Sequence, residues 1–201
     1  MKKIILPLAA LILVSFTVSD TPLTKAERKM AVKELMKTQK HLLKTVKGLS
    51  EAQLNFKSSP DSWSVAECME HIAISENMIF GQLEEALKTP ADPSRRSEVK
   101  MSDEQLLSMI VDRSHKAKAP ENFQPSGKYG SYEGALKEYK EKRAEHIKYV
   151  KNTDDDLRNH YLPSPIGTVD AFQVLLFMSA HNERHVKQME EVMADKNFPK
   201  K

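Results

Sequence analysis

His181 and His185 stand four residues apart near the end of the chain. On a helix that interval puts two side chains one turn apart on the same face, so two imidazoles can be aimed at one cation. Both fall on the stripe Ala171, Val174, Met178, which continues through Gln188 and Val192 and should face the interior of a helical domain. Two adjacent buried imidazoles need partners for four ring nitrogens. A cation with acceptors behind the rings supplies them, and so do ordinary core hydrogen bonds. Spacing alone leaves both readings open.

A third ligand has to come from another segment. His71 lies two turns past Ser64, beside the Cys68, Ile72 and Ser75 face, and completes a three-His set if its helix neighbours the one carrying His181 and His185. Three protein ligands with a position left open is the pattern of a catalytic metal site. A fourth protein ligand would make the site structural, and His146, bordering the core face of its own helix, is the reserve candidate. His41 lies on a Lys-rich side, while His115 and His160 fall in connecting regions. Glu67 precedes His71 by four residues, as a general base could, but a helix-capping role accounts for it. Trp63 reads as a core anchor and Cys68 as a small buried thiol.

These side chains need helices to hold them, and the punctuation provides four. The prolines leave long proline-free blocks with helical periodicity, and strand signals are nearly absent. Thr24 to Glu27 forms a capping box ahead of Val32, Leu35, Gln39, Leu42 and Val46, with Gly48 marking the end. On the other side Lys29, Lys33, Lys37, Lys40, Lys44 and Lys47 make a basic stripe, read as a solvated face. Ser64 to Glu67 is a second box, opening a block that runs to Leu87. A third block runs from Ser131 to Val150, and a fourth, capped by Thr168, runs to Val192. Residues 89 to 130 form a long crossover with its own short helix, Ser102 to roughly Lys116. The expected fold is all-α, a four-helix bundle with that crossover between the second and third helices.

Composition narrows the setting. Of 201 residues, 40% are hydrophobic and 29% charged, a balance that argues against disorder. Lys2 and Lys3 precede a mainly apolar run, Ile4 to Val18, with small residues at Thr17 to Ser19. This reads as a signal peptide over residues 1–19, followed by a single domain over 20–201 in the periplasm or outside the cell. An uncleaved anchor is the alternative, although spanning hydrocarbon takes about 20 apolar residues. Removing those two lysines from the 31 Lys+Arg leaves 29 against 28 Asp+Glu, too even for a nucleic-acid footprint. One cysteine excludes a disulfide framework and a thiolate-rich metal site.

The run Leu49-Ser50-Glu51-Ala52-Gln53-Leu54-Asn55-Phe56, then Trp63-Ser64-Val65-Ala66-Glu67, His71-Ile72 and His181-Asn182-Glu183-Arg184-His185, resembles the DinB-like (YfiT-like) family over residues 23 to 194. The resemblance implies a four-helix bundle that holds a divalent metal through His71, His181 and His185. It also implies a metal-dependent hydrolase or a thiol-dependent transferase acting on a small molecule. A signal peptide departs from the family's usual cytoplasmic setting and removes the protein from intracellular thiols, which shifts weight toward hydrolysis or a non-catalytic, structural metal. Three imidazoles suit zinc, nickel, iron or manganese alike. No nucleic acid, and no membrane after cleavage, is expected as a partner, and a homodimer stays open.

Overall fold

The computed structural model describes residues 22–115 and 118–200. The segment read as a signal peptide, and Lys116, where the short helix was expected to end, lie outside the described residues. Four long helices dominate: α1 Lys25–Thr45, α3 Val65–Leu87, α5 Tyr132–Asn152 and α6 Ala171–Met193. Two short ones join them, α2 Glu51–Asn55 after α1 and α4 Asp103–Val111 inside the crossover. None of the described helices is long and apolar enough to cross a membrane.

The starts of these helices follow from local chemistry. Thr24, Ser50, Ser64 and Ser102 each accept from the N3 backbone amide while the N3 Glu or Gln side chain accepts from the cap backbone, so two orphan donors are satisfied at once. The last helix differs from expectation. Thr168 to Asp170, read as its cap and start, belong instead to the second strand of a small antiparallel hairpin, β1 Tyr161–Ser164 and β2 Gly167–Asp170, turning at Pro165-Ile166. Proline denies the turn a helical donor, and Gly167 takes φ 109, a value only glycine adopts without strain. Thr168 is therefore in a strand. The true cap is Asp170, whose carboxylate accepts from the Gln173 amide at 2.7 Å. The short helix α4 also ends earlier than expected, at Val111.

Each long helix touches two others: α1 packs on α6 and α5, and α3 packs on α6 and α5. The condition set for His71 is thus met, because α3 and α6 are neighbours. The core has two apolar parts. One holds Leu35, Leu83, Val150, Phe172 and Leu176, and the other holds Leu42, Met69, Tyr139, Val186 and Met189. Along α1 the first part precedes the second, and along α6 likewise; along α3 and α5 the order is reversed. The long crossover therefore lets α3 and α5 run in the same direction, against α1 and α6. The inner face of α1 is turned slightly from expectation, with Ala31 and Thr38 buried and Val32 and Gln39 half-buried. All six lysines of the basic stripe are exposed.

Between the two apolar parts lies a polar layer. Arg143, fully buried, makes a two-pronged pair with Glu76 at 2.7 and 2.6 Å and donates to the Leu35 carbonyl and Thr38 hydroxyl. His146 bonds the same Glu76 carboxylate at 2.8 Å, and Thr38 meets Ser179 at 3.1 Å. All four long helices contribute. Burial alone would raise the Glu76 carboxyl, but Arg143 and the His146 bond outweigh it and hold it below the usual carboxylate range.

Candidate metal centre

Position 71 lies on the second turn of α3, and positions 181 and 185 lie one turn apart on α6. Packing of α3 on α6 brings the three rings together. His71 Nε2 is 3.0 Å from His185 Nε2 and 3.3 Å from His181 Nε2, and the last two are 3.2 Å apart. His71 and His185 are 2% and 8% exposed, and His181 is half-buried at the rim. Among the described residues this cluster is the one group of three or more His, Cys, Asp or Glu side chains arranged so that it could hold a metal ion.

The outward-facing nitrogens show which protons the rings carry. His71 Nδ1 donates to the Phe123 carbonyl at 2.6 Å, and a carbonyl can only accept. His185 Nδ1 donates to the Gln188 amide oxygen at 2.9 Å. With those protons on Nδ1, the Nε2 atoms of neutral His71 and His185 are bare lone pairs. Two lone pairs 3.0 Å apart repel, and neither can donate to the other. A cation between them removes that repulsion. At metal–nitrogen bonds of about 2.0–2.1 Å, imidazoles subtending about 90–110° at an ion stand roughly 2.9–3.4 Å apart, and the three spacings lie within that range. The donor set fits a divalent metal.

Burial keeps the rings neutral. Desolvation pushes His181 down to about 3, with the neighbouring His71 and Arg184 adding to the effect. Desolvation likewise lowers His185 well below its ordinary value, assisted by His181 and His71. His71 is lowered by burial, against the opposing bond to Phe123. Neutral imidazole is the form that ligates.

The other sequence candidates go elsewhere. His146 is committed to Glu76 and stacks on Phe80 at 3.9 Å, so it supplies no fourth ligand. His41 bonds Glu183 and Glu190 at 3.0 Å, and His160 donates to the Ala86 carbonyl. Glu67 closes the α3 capping box and pairs with Lys57 at 3.0 Å. The Cys68 thiol is fully buried, and desolvation raises it to about 12, so it stays protonated.

Five contributors were not assigned to the site from sequence. The Trp63 ring stands 4.8 Å from the His71 ring and 6.1 Å from His185, so it walls the cluster as well as anchoring α3. Phe177 lies parallel to His181 at 5.8 Å. The Ser75 hydroxyl is 3.5 Å from His71 Nε2, one turn inward on the same helix. Gln188 could have been found, since it follows His185 by three residues and shares its face. Phe123 could not: its contribution is a backbone carbonyl, which any residue offers.

A family model described as the DinB superfamily matches residues 34–189. A Bacillus subtilis (strain 168) protein named "Uncharacterized protein YuaE" is 26% identical over 148 residues, 73% of this chain and 87% of that protein. A solved structure from Bacillus subtilis, YfiT, described as "a probable metal-dependent hydrolase with an unusual four-helix bundle topology", aligns with a TM-score of 0.50 at 15% identity. The alignment covers 85% of this chain and 88% of that one. At that identity the likeness concerns the fold.

Proposed function

This chain belongs to the DinB superfamily, and from that premise we propose that it is an extracytoplasmic metal-dependent hydrolase of small molecules, with His71, His181 and His185 as its metal ligands. The observation that carries the reading is the meeting of three Nε2 atoms at 3.0–3.3 Å, with two of the rings held by acceptors on Nδ1. A divalent ion held this way supplies Lewis acidity and lowers the pKa of a bound water toward neutrality.

The chain's own groups do the rest. Phe123 and Gln188 orient the rings, Trp63 and Phe177 provide apolar walls that exclude bulk water, and the Ser75 hydroxyl adds a polar contact inside the site. His181, the least buried of the three rings, marks the side from which a substrate would approach. That His146 is engaged elsewhere supports an open coordination position, which favours catalysis over a purely structural ion. YfiT's description as a hydrolase adds an analogy at the level of fold. The apolar run Ile4 to Val18 supports export, and export argues against use of intracellular thiols.

Elemental analysis of the purified protein tests the ligands: about one divalent metal per chain is expected, zinc, nickel, iron or manganese, and His181→Ala should lose it. Equal metal content in the two proteins would sink the triad. Turnover of a panel of small esters, amides and lactams, abolished by chelation and restored by metal, tests the activity. Metal without turnover would favour the structural alternative, in which the ion cross-links α3 to α6. Cell fractionation with and without residues 1–19 tests export.

A further inference from the structure

We propose that Arg113 is a positioning residue for the histidine cluster: it fixes the orientation of the Gln188 amide, and through it the tautomer in which His185 presents Nε2 to a divalent cation. The inference rests on the metal-site reading above and deepens it.

A primary amide has an accepting end and a donating end of nearly the same shape. With the Gln188 oxygen toward His185, the ring carries its proton on Nδ1 and leaves Nε2 bare. With the amide turned, the NH2 group faces the ring, Nδ1 becomes the acceptor, and the proton belongs on Nε2. In that tautomer the ring has no lone pair to offer the cluster. Rotation of one side-chain amide therefore decides whether His185 can ligate.

Arg113 removes the choice. Its Nη1 lies 3.4 Å from the same Gln188 oxygen that accepts from His185 at 2.9 Å. A guanidinium only donates, so an amide NH2 placed there would meet like polarity. Arg113 is itself held, with Nε and Nη2 each 2.7 Å from the two carboxylate oxygens of Glu191. Its side chain is only 14% exposed. The residue belongs to the crossover just past the end of α4. That stretch is tied to α6 by Arg184, which donates to the carbonyls of Ile110, Asp112 and His115. The crossover thus serves two ligands, through the Phe123 carbonyl for His71 and through Arg113 for His185. His71 needs no such device, because a backbone carbonyl has no donor end to present.

The test compares wild type, Arg113→Met, and Arg113→Met combined with Gln188→Glu, using zinc as probe. Zinc affinity is read by chelator competition, and the His185 tautomer by nitrogen NMR of the metal-free protein. Arg113→Met should weaken zinc about 10–100-fold and populate the Nε2–H form. Adding Gln188→Glu, whose two oxygens both accept, should return the Nδ1–H tautomer and wild-type affinity or better. Gln188→Met leaves the Arg113–Glu191 pair intact and makes the same prediction as Arg113→Met, should that variant not fold. Wild-type zinc affinity and an unchanged tautomer in Arg113→Met would overturn the inference. Failure of wild type to bind zinc would defeat the metal-site reading instead, and the tautomer measurement would still decide the role of Arg113.

Discussion

A ring nitrogen that has no proton to give and none to lose is ready to ligate. Desolvation puts His71, His181 and His185 in that state, with folded-state pKa values below the ordinary one. Metal uptake between about pH 6 and 7 should therefore release almost no protons from His181 and His185, and fewer from His71 than a free histidine would release. Calorimetry in two buffers of different ionisation heat measures this; release approaching one proton per site at pH 6 would contradict it. The Glu76–Arg143 pair is the other residue-scale case. Glu76→Ala leaves a buried guanidinium without its counter-charge, and a loss of about 3–5 kcal/mol in urea unfolding is expected. A loss below about 1 kcal/mol would mean that the remaining bonds to Leu35 and Thr38 carry the charge unaided.

At the scale of elements, the end of the bundle opposite Ser64 is gathered by Arg158. It donates to Glu27 at the start of α1, to Asp103 at the start of α4, and to Asp170, the α6 cap, at 2.6–3.0 Å. Its guanidinium also lies 4.0 Å over the Phe172 ring. Carboxylates at three helix N-termini suit the dipoles there, and one cation bridges them. Asp170 is fully buried, with Arg96 as its remaining ionic partner. Arg158→Ala should cost about 1–3 kcal/mol and fray the start of α6 first. Hydrogen exchange at the α6 N-terminal amides reads the second effect; uniform loss of protection along all helices would argue against a local role.

Across the whole molecule, the cluster takes one imidazole from α3 and two from α6, helices that run in opposite directions and share both parts of the core. An ion bound there opposes separation of the two, and ligand that binds only the folded state raises stability by about 2.7 kcal/mol at one hundred times its dissociation constant. Thermal unfolding with and without added zinc should show this shift in wild type and none in His181→Ala. Acid should on balance weaken the metal-free protein, with His41 opposing: burial works against its charge, but Glu183 and Glu190 raise its pKa, so its pairs gain strength as pH falls. Glu76 is held below 4.5 when folded, so its contribution is present above that value and lost as pH falls through the folded one. The histidines, lowered from 6.5, protonate first in the unfolded chain and so withdraw stability as pH falls below that value. Metal-free protein measured by urea unfolding should be less stable at pH 5 than at pH 7. Equal stability at the two would refute the histidine assignment, while Glu76 should add a further loss only below 4.5.

Much of this was legible in the residues themselves. Capping boxes at Thr24, Ser64 and Ser102 and the proline-free blocks between them are local signals, because a cap satisfies backbone donors within three residues. They located α1, α3 and α4 at their starts. The hairpin at 161–170 was not legible, since a Pro-Ile turn carries no common hairpin signal and Thr168 is as good a cap as Asp170 until packing chooses. The pairing of His181 with His185 follows from helical spacing. That His71 belongs with them, and that His146 does not, depends on which helices touch. The tautomers depend on more distant groups still, a carbonyl at 123 and a guanidinium at 113, both from the crossover. Sequence by itself determined the long helices and the stock of imidazoles, because caps and helical periodicity are decided over a few residues of chain. Only the tertiary structure decided which three rings converge and which nitrogen of each stays bare, because that requires partners far apart in sequence to arrive within a hydrogen bond's length of one another.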